Sequence, residues 1–480
     1  MTALHELTLR ALAAALRAGE VTPVEAAAHF LGRIAAQDGL GAFAEVTGEA
    51  ALRRAAALGA PPADAPPLWG VPLADKDLTA RAGVPTRYGS RLNVDHVPAR
   101  SDPMALALDA AGAISLGKTS TPEFGLTGFT ETRIGPPARD PWDPRDGAGG
   151  SSGGAAAAVS AGLLPAAPAS DGGGSIRIPA ATVGVVGLKP SRGQVPAGAG
   201  MESPDGLAVA GPIARSADDA ALLLDALIGT PGTLPYATRA PGEGPFAEAA
   251  RAETGGLRIG VTTASPWQET LEVELDADAR AAVLGAASAL GAEHHVTPFE
   301  WRPAPYADMF MTLWAASAAR IPVPDERLDD VEPITAWLIR SGRALTAERL
   351  LGGYAAARSF ERLTIEAFAR FDAVLTPALA LPPRPIGWFA QDDPESSFVR
   401  QCLYAPYSSF VNVAGLPAIT VPVASAENGH PVSVQLVGRP GGEAAVLGLA
   451  AQLERARGPL PRPPEPGQKR RTESAPGRIG

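Results

Sequence analysis

The chain has 480 residues, 46% of them hydrophobic, and a formal net charge of -10. Its 53 glycines and 48 prolines are spread without a repeat period, which argues for many loops on a large buried core rather than collagen or disorder. The acidic balance excludes the positive footprint of a nucleic-acid-binding surface, and the short run GQKRR at 467–471 reads as solvated tail.

The amino-terminal segment reads as two amphipathic helices broken at GEVTP. Charges interrupt it too often for the apolar region of a signal peptide. No stretch of roughly 18 apolar residues follows, so no membrane span is expected and a cytoplasmic location is. PLWGVPLADKD predicts a short strand and then an irregular segment, followed by a helix over 103–111 and a strand in AISLGKT. GGAAAAVSAGLL predicts a helix, while SIRIPAATVGVVGLKPS mixes helix-start and short-strand signals. A helix over 216–229 opens with Ser216 and, three residues on, Asp219, an imperfect capping pattern.

GGLRIGVTTAS, a helical stretch and EHHVTPF then alternate strand, helix and strand, the signature of parallel sheet covered by helices. A helix and a buried strand near 373–376 repeat the scheme, and the chain closes with a strand, an Asn-Gly turn, a strand and a helix. These elements predict one large α/β domain over 1–458, with a helical start over 1–60 and a variable substrate-pocket region over 231–370. The proline-rich 459–480 is expected to be a flexible tail.

Candidate chemistry is sparse at first sight. None of the six histidines has a catalytic or zinc-binding spacing, and the adjacent His294 and His295 read as ordinary strand residues. The single Cys402 can form neither an internal disulfide nor a metal cluster, and without a companion histidine it reads as a small buried apolar residue. Lys76 stands in the apolar strand context GVPLADKD, where burial would favour its neutral form. Asp75 and Asp77 would oppose that, but in an extended segment both point to the other face. A surface lysine at a strand end is the alternative.

The densest feature lies at 147–180, GAGGSSGGAAAAVSAGLLPAAPASDGGGSIRIPA, with nine glycines and five serines. Successive glycine amides can turn toward one point and hold a developing negative oxygen. Together with GVPLADKD, GKTSTPEFG, GLKPSRG and GLPAITVP, in this order over most of 60–455, the block resembles the amidase signature family. The resemblance implies a central mixed, mostly parallel twisted sheet with helices on both faces. It implies a Ser–cis-Ser–Lys triad: Ser175 as nucleophile, Ser151 as the bridging serine with the cis peptide bond, and Lys76 as base. The family's oxyanion hole maps onto the backbone amides of Gly172, Gly173, Gly174 and Ser175. Asp171 then braces this turn and pairs with Arg177, and Ser152 caps the helix that follows it.

The implied reaction is hydrolysis of a small or medium, weakly polar carboxamide through an acyl-serine, with no metal and no organic cofactor. The expected partner is a small-molecule amide, and the expected assembly a monomer or homodimer. Pocket walls are expected from 301–352 and 404–409, with Phe310, Trp314 and Trp337 as candidates. Within this family the glutaminase component of the tRNA-dependent amidotransferase is an alternative. Its SLDQIGP-like segment carries a carboxylate, where this chain has GLAVAGP at 206–212. A non-catalytic scaffold on the same fold is the third reading.

Overall fold

The computed structural model describes residues 2–195, 206–228, 245–389 and 393–465, and eleven strands frame it. They are β1 (Phe43–Val46), β2 (Pro72–Lys76), β3 (Ile114–Thr119), β4 (Ala166–Asp171), β5 (Val186–Lys189), β6 (Val209–Ala214), β7 (Arg258–Val261), β8 (His295–Pro298), β9 (Ala373–Pro377), β10 (Ala418–Ser425) and β11 (Pro431–Gly438). One sheet has the order β1-β3-β2 and the other β4-β6-β5-β10-β11-β9-β7-β8. β2 lies beside β4, so the two sheets meet there.

Period-two alternation separates two apolar cores. Ala373 and Leu375 of β9, with Val434 and Leu436 of β11, enter the first; Val374 and Val437 enter the second. Helices Gly153–Ser160, Ala217–Ile228, Ala277–Leu290 and Glu443–Arg457 cover the first. Helices Ala307–Ala319, Ala347–Phe368 and Ser409–Val413 cover the second. The α/β fold with helices on both faces is as expected.

The expected balance of strand directions needs correction. Only β9/β7 and β7/β8 pair in parallel within the large sheet, while β4/β6, β6/β5, β5/β10, β10/β11 and β11/β9 are antiparallel. A short turn forces antiparallel pairing, as between β10 and β11, where the Gly429 amide donates to the Ala426 carbonyl, and only helical crossovers return a strand in parallel. β1, β4 and β6 were not expected. In β4 the prolines of PAAPASD hide the strand, because proline donates no ladder bond; Pro168 is tolerated since β4 is the edge of the large sheet.

Local signals elsewhere hold. Thr22 and Glu25 form a capping box around Pro23 at the start of helix Pro23–Ala36. Ser216 caps its helix through the Asp219 amide, but the Asp219 carboxylate turns instead to the Arg10 amide and ties two helices together. Of the region 231–370, residues 231–244 lie outside the described residues, and β7 and β8 belong to the main sheet. The rest, from 307 to 368, is helical and lies outside that sheet. The tail also departs from expectation. Arg462 donates to the Glu6 carbonyl and Glu465 pairs with Arg33, so 459–465 lie on the amino-terminal helices; 466–480 are outside the described residues. No helix among the described residues is long and apolar enough to cross a membrane.

Two glycines test how tightly this helical layer packs. A Cβ on Gly342 would lie 1.9 Å from the Ala315 carbonyl oxygen, whereas one on Gly352 meets nothing within 4 Å. Gly342→Ala should therefore destabilise by about 1–3 kcal/mol. Gly352→Ala, inside helix Ala347–Phe368, should stabilise by about 0.5–1 kcal/mol. Thermal unfolding midpoints moving in opposite directions are the expected result; a shift of the same sign in both contradicts this packing.

Candidate active site

Four chain segments converge where β2 meets β4. β2 ends at Lys76 and β4 at Asp171; Ser151 and Ser152 precede helix Gly153–Ser160, and Ser175 precedes helix Arg177–Thr182. Lys76 is buried, and its Nζ lies 2.7 Å from Ser151 Oγ and 3.1 Å from Ser170 Oγ. The flanking carboxylates face away, as strand alternation requires: Asp75 takes hydrogen bonds from Arg81 and Ser115, and Asp77 from the Arg87 amide. Burial pulls the Lys76 ammonium down to about 7, with the nearby Asp171 charge opposing it. Near neutral pH a large share of this lysine is a free base.

The Gly150–Ser151 peptide is cis, at the serine where the family resemblance placed it. Gly150 has no room for a side chain, since a Cβ there would lie 2.6 Å from the Phe129 main chain. Ser152 departs from expectation. Its side chain makes no capping bond; with ψ at 40 its hydroxyl is directed to the Ser170 carbonyl, 3.3 Å away. The Ser152 amide donates to the Ser175 carbonyl at 3.2 Å, which ties the two serine loops together.

Asp171 shapes the glycine turn. Its Oδ1 accepts from the Gly174 amide at 2.7 Å and its Oδ2 from the Ile176 amide at 3.2 Å. Gly174 is thus a correction to the expected cradle, because its amide is already used by Asp171. Among the described residues, none accepts a hydrogen bond from the Gly172, Gly173 or Ser175 amides. Gly174 itself has φ +132, and a Cβ there would meet Ser408 at 2.6 Å.

The pairing of Asp171 with Arg177 is buried on both sides, with two contacts of 3.0 Å. Burial alone would raise the Asp171 carboxyl; the Arg177 charge and hydrogen bonds, Lys189 and Asn412 outweigh it and hold it at about 2. Arg177 also donates to the Ser408 carbonyl, Gln435 Oε1 and Asn412 Oδ1. Ser170, Asn412 and Gln435 were missed from sequence. Gln435 alone left a signal, as a polar residue inside the apolar strand VSVQLVG.

Of the expected walls, Trp314 and Phe310 reach the turn. Trp314 Cζ3 lies 3.3 Å from the position of a Cβ on Gly172, and Phe310 Cζ 3.4 Å from one on Gly173. Trp337 packs on Phe398 instead. In the 404–409 segment Ser408 and Ser409 border the turn, whereas the Tyr404 hydroxyl bonds to Thr182. Cys402 is buried, and burial pushes its thiol well up, so it is no thiolate at neutral pH. His294 bonds to Gln452 and His430 to Asp140. Among the described residues no group of three or more His, Cys, Asp and Glu is placed to hold a metal. In GLAVAGP the residue in the carboxylate's place is Ala208, whose Cα lies 4.0 Å from the Gly172 Cβ position; Asp205, just before it, is outside the described residues.

Residues 25–447 match the Amidase family. The chain belongs to the amidase family. It is 34% identical to a putative amidase of Synechocystis sp., over 92% of this chain and 87% of that one. It is equally 34% identical to a glutamyl-tRNA(Gln) amidotransferase subunit of Nitratidesulfovibrio vulgaris, over 96% and 99%. Its structure resembles 6-aminohexanoate cyclic dimer hydrolase with a TM-score of 0.87 and 28% identity, covering 96% of this amidase and 99% of that chain. This amidase is accordingly an amidohydrolase of small-molecule amides.

Removing one partner of a buried ion pair strands the other charge, at a cost of about 3–5 kcal/mol. Arg177→Met should therefore lower the thermal midpoint markedly, and with it turnover, since Asp171 no longer holds the Gly174 amide as a full carboxylate. A midpoint equal to wild type would show that the pair does not organise this turn.

Proposed function

We propose that Ser175 Oγ attacks the amide carbonyl while its proton passes to Ser151 Oγ, whose own proton moves to neutral Lys76 Nζ. The carbonyl oxygen, now negative, is held by the amides of Gly172, Gly173 and Ser175. The proton then returns through Ser151 to the leaving amine, the C–N bond breaks, and water hydrolyses the acyl-Ser175 by the same relay. Asp171 and Arg177 position the turn, and Ser152 fixes Ser170 beside the lysine. The observation that carries this reading is the 2.7 Å contact of Lys76 with Ser151 at a site whose burial brings the lysine to about 7. The scheme needs neither metal nor organic cofactor. Residues 1–458 act in it as one domain, on a small weakly polar carboxamide, as a cytoplasmic monomer or homodimer without nucleic acid.

Ser175→Ala should abolish turnover, and labelling by a serine-directed fluorophosphonate, without loss of fold. Ser151→Ala should be severe but incomplete, because a water can replace the relay hydroxyl. Wild-type-like rates in a folded Ser175→Ala protein would refute the assignment.

The Lys76 value sets a sign for the pH profile. Below about 7 the lysine is protonated and cannot accept, so kcat/KM should fall about tenfold per pH unit on the acid side and level off above neutrality. Lys76→Ala should cost about 10²–10⁴-fold, as is typical for loss of a general base. A profile with its maximum near pH 5, for a substrate that does not itself titrate, is incompatible with this base.

The amidotransferase reading is favoured by the equal identity to the Nitratidesulfovibrio protein and opposed by Ala208, which offers no charge to a glutamine α-amino group. The protein alone, without ATP, tRNA or further chains, should hydrolyse a hydrophobic primary amide in preference to glutamine. Turnover of glutamine only, and only with partner chains present, would reverse the choice.

A further inference from the structure

Three aromatic rings line up along helix Ala307–Ala319 and the residue before it. Tyr306 precedes helix Ala307–Ala319, and Phe310 and Trp314 follow at four-residue steps on the same helical face. Tyr306 and Phe310 stack with ring centroids 5.6 Å apart, and Phe310 and Trp314 stack at the same 5.6 Å, 16° from parallel. Trp267 packs edge-on against both Tyr306 and Phe310, so the inner end of the stack is clamped. Tyr306 and Phe310 are buried, but Trp314 is only half-buried. The row therefore ends in an indole with open surface, against the Gly172 turn.

A second half-buried ring, Phe124, stands one residue before Gly125, which lies beside Ser151. Phe124 has φ 51, a left-handed conformation that a bulky non-glycine residue adopts only when its surroundings impose it. Those surroundings are on both sides. The Phe124 amide donates to the Tyr88 carbonyl at 2.7 Å. The preceding Glu123 carboxylate accepts from Ser90 Oγ at 2.7 Å and from the Glu332 amide at 2.6 Å, at the start of helix Pro333–Arg343. The following residue, Gly125, has a Cβ position 3.4 Å from Ser151 Oγ. Phe124 and Trp314 both pack on the apolar cluster that includes Leu338 and Ile339 of that helix.

We infer that Trp314, with Phe124 on the same apolar cluster, forms a stacking subsite for a planar aromatic ring of the amide substrate. This rests on the amidase reading above and names the substrate class within it. A ring laid against the free surface of Trp314 extends the existing stack by one member, beside the amides proposed to hold the carbonyl oxygen. An aliphatic group of the same size fills the space without the offset-stacked contact. Trp314 is thus a specificity-determining residue, not a group that takes part in proton transfer.

The ring can sit on either side of the scissile bond, and two matched pairs separate these cases. Benzamide against cyclohexanecarboxamide places it on the acyl side; acetanilide against N-cyclohexylacetamide places it on the amine side. The readout is the ratio of kcat/KM for the aromatic over the saturated member, compared between wild type and Trp314→Leu, so differences in intrinsic reactivity cancel. In one pair this ratio should fall roughly three- to tenfold in Trp314→Leu. Trp314→Phe, which keeps a ring, should restore most of it, and a merely structural role would not produce that rescue. Ratios unchanged in both pairs while hydrolysis persists would overturn the subsite and leave the amidase reading standing. Hydrolysis of none of the four amides by the wild-type protein would overturn both.

Discussion

Asp171 and Arg177 lie 3.0 Å apart in the interior, each the buried partner of the other's charge. The site depends on this pair. As a full carboxylate Asp171 takes the Gly174 and Ile176 amides and so bends the glycine turn ahead of Ser175. Through its other contacts Arg177 reaches Ser408, Asn412 and Gln435, which anchors the turn to helix Ser409–Val413 and to β11. Position follows from charge here.

The same pair bears on the lysine. Asp171 alone would favour the ammonium form of Lys76 and work against the desolvation that makes it a base. The Arg177 guanidinium beside the carboxylate offsets that charge, so burial decides. Asp75 and Asp77 are kept out of the balance by a simpler device, the alternation of side chains along β2, and each has its own partners on the far side. A lysine brought down to about 7 and lying within 2.7 Å of a serine hydroxyl is what results.

Much of this was legible in the chain. Helix 103–111, strand AISLGKT, the Asn-Gly hairpin and the closing helix follow from periodicity and turn chemistry, which act over a few residues. The motif order marked Lys76, Ser151 and Ser175, and the structure brings Lys76 into contact with Ser151 and joins Ser152 to Ser175 through the backbone. The expected predominance of parallel strands failed because direction of pairing depends on which strands become neighbours. β5 and β10, paired antiparallel, are more than 200 residues apart in sequence. β4 was hidden by Pro168, which its place at the edge of the large sheet tolerates.

The sequence by itself determined the family, the local elements and the residue types available for chemistry, since these are written in motifs, periodicity and turn residues. It could not decide that Gly174 spends its amide on Asp171 while its neighbours do not, or that Ser152 turns to Ser170 rather than capping its helix. It also left open which tryptophan of the helices from 307 to 368 reaches the glycine turn; Trp314 does, whereas Trp337 packs on Phe398. Those outcomes rest on directions of individual N–H and side-chain vectors, set when segments far apart in the chain, such as Asp171 and Asn412, compete for the same hydrogen bonds in a space closed to water.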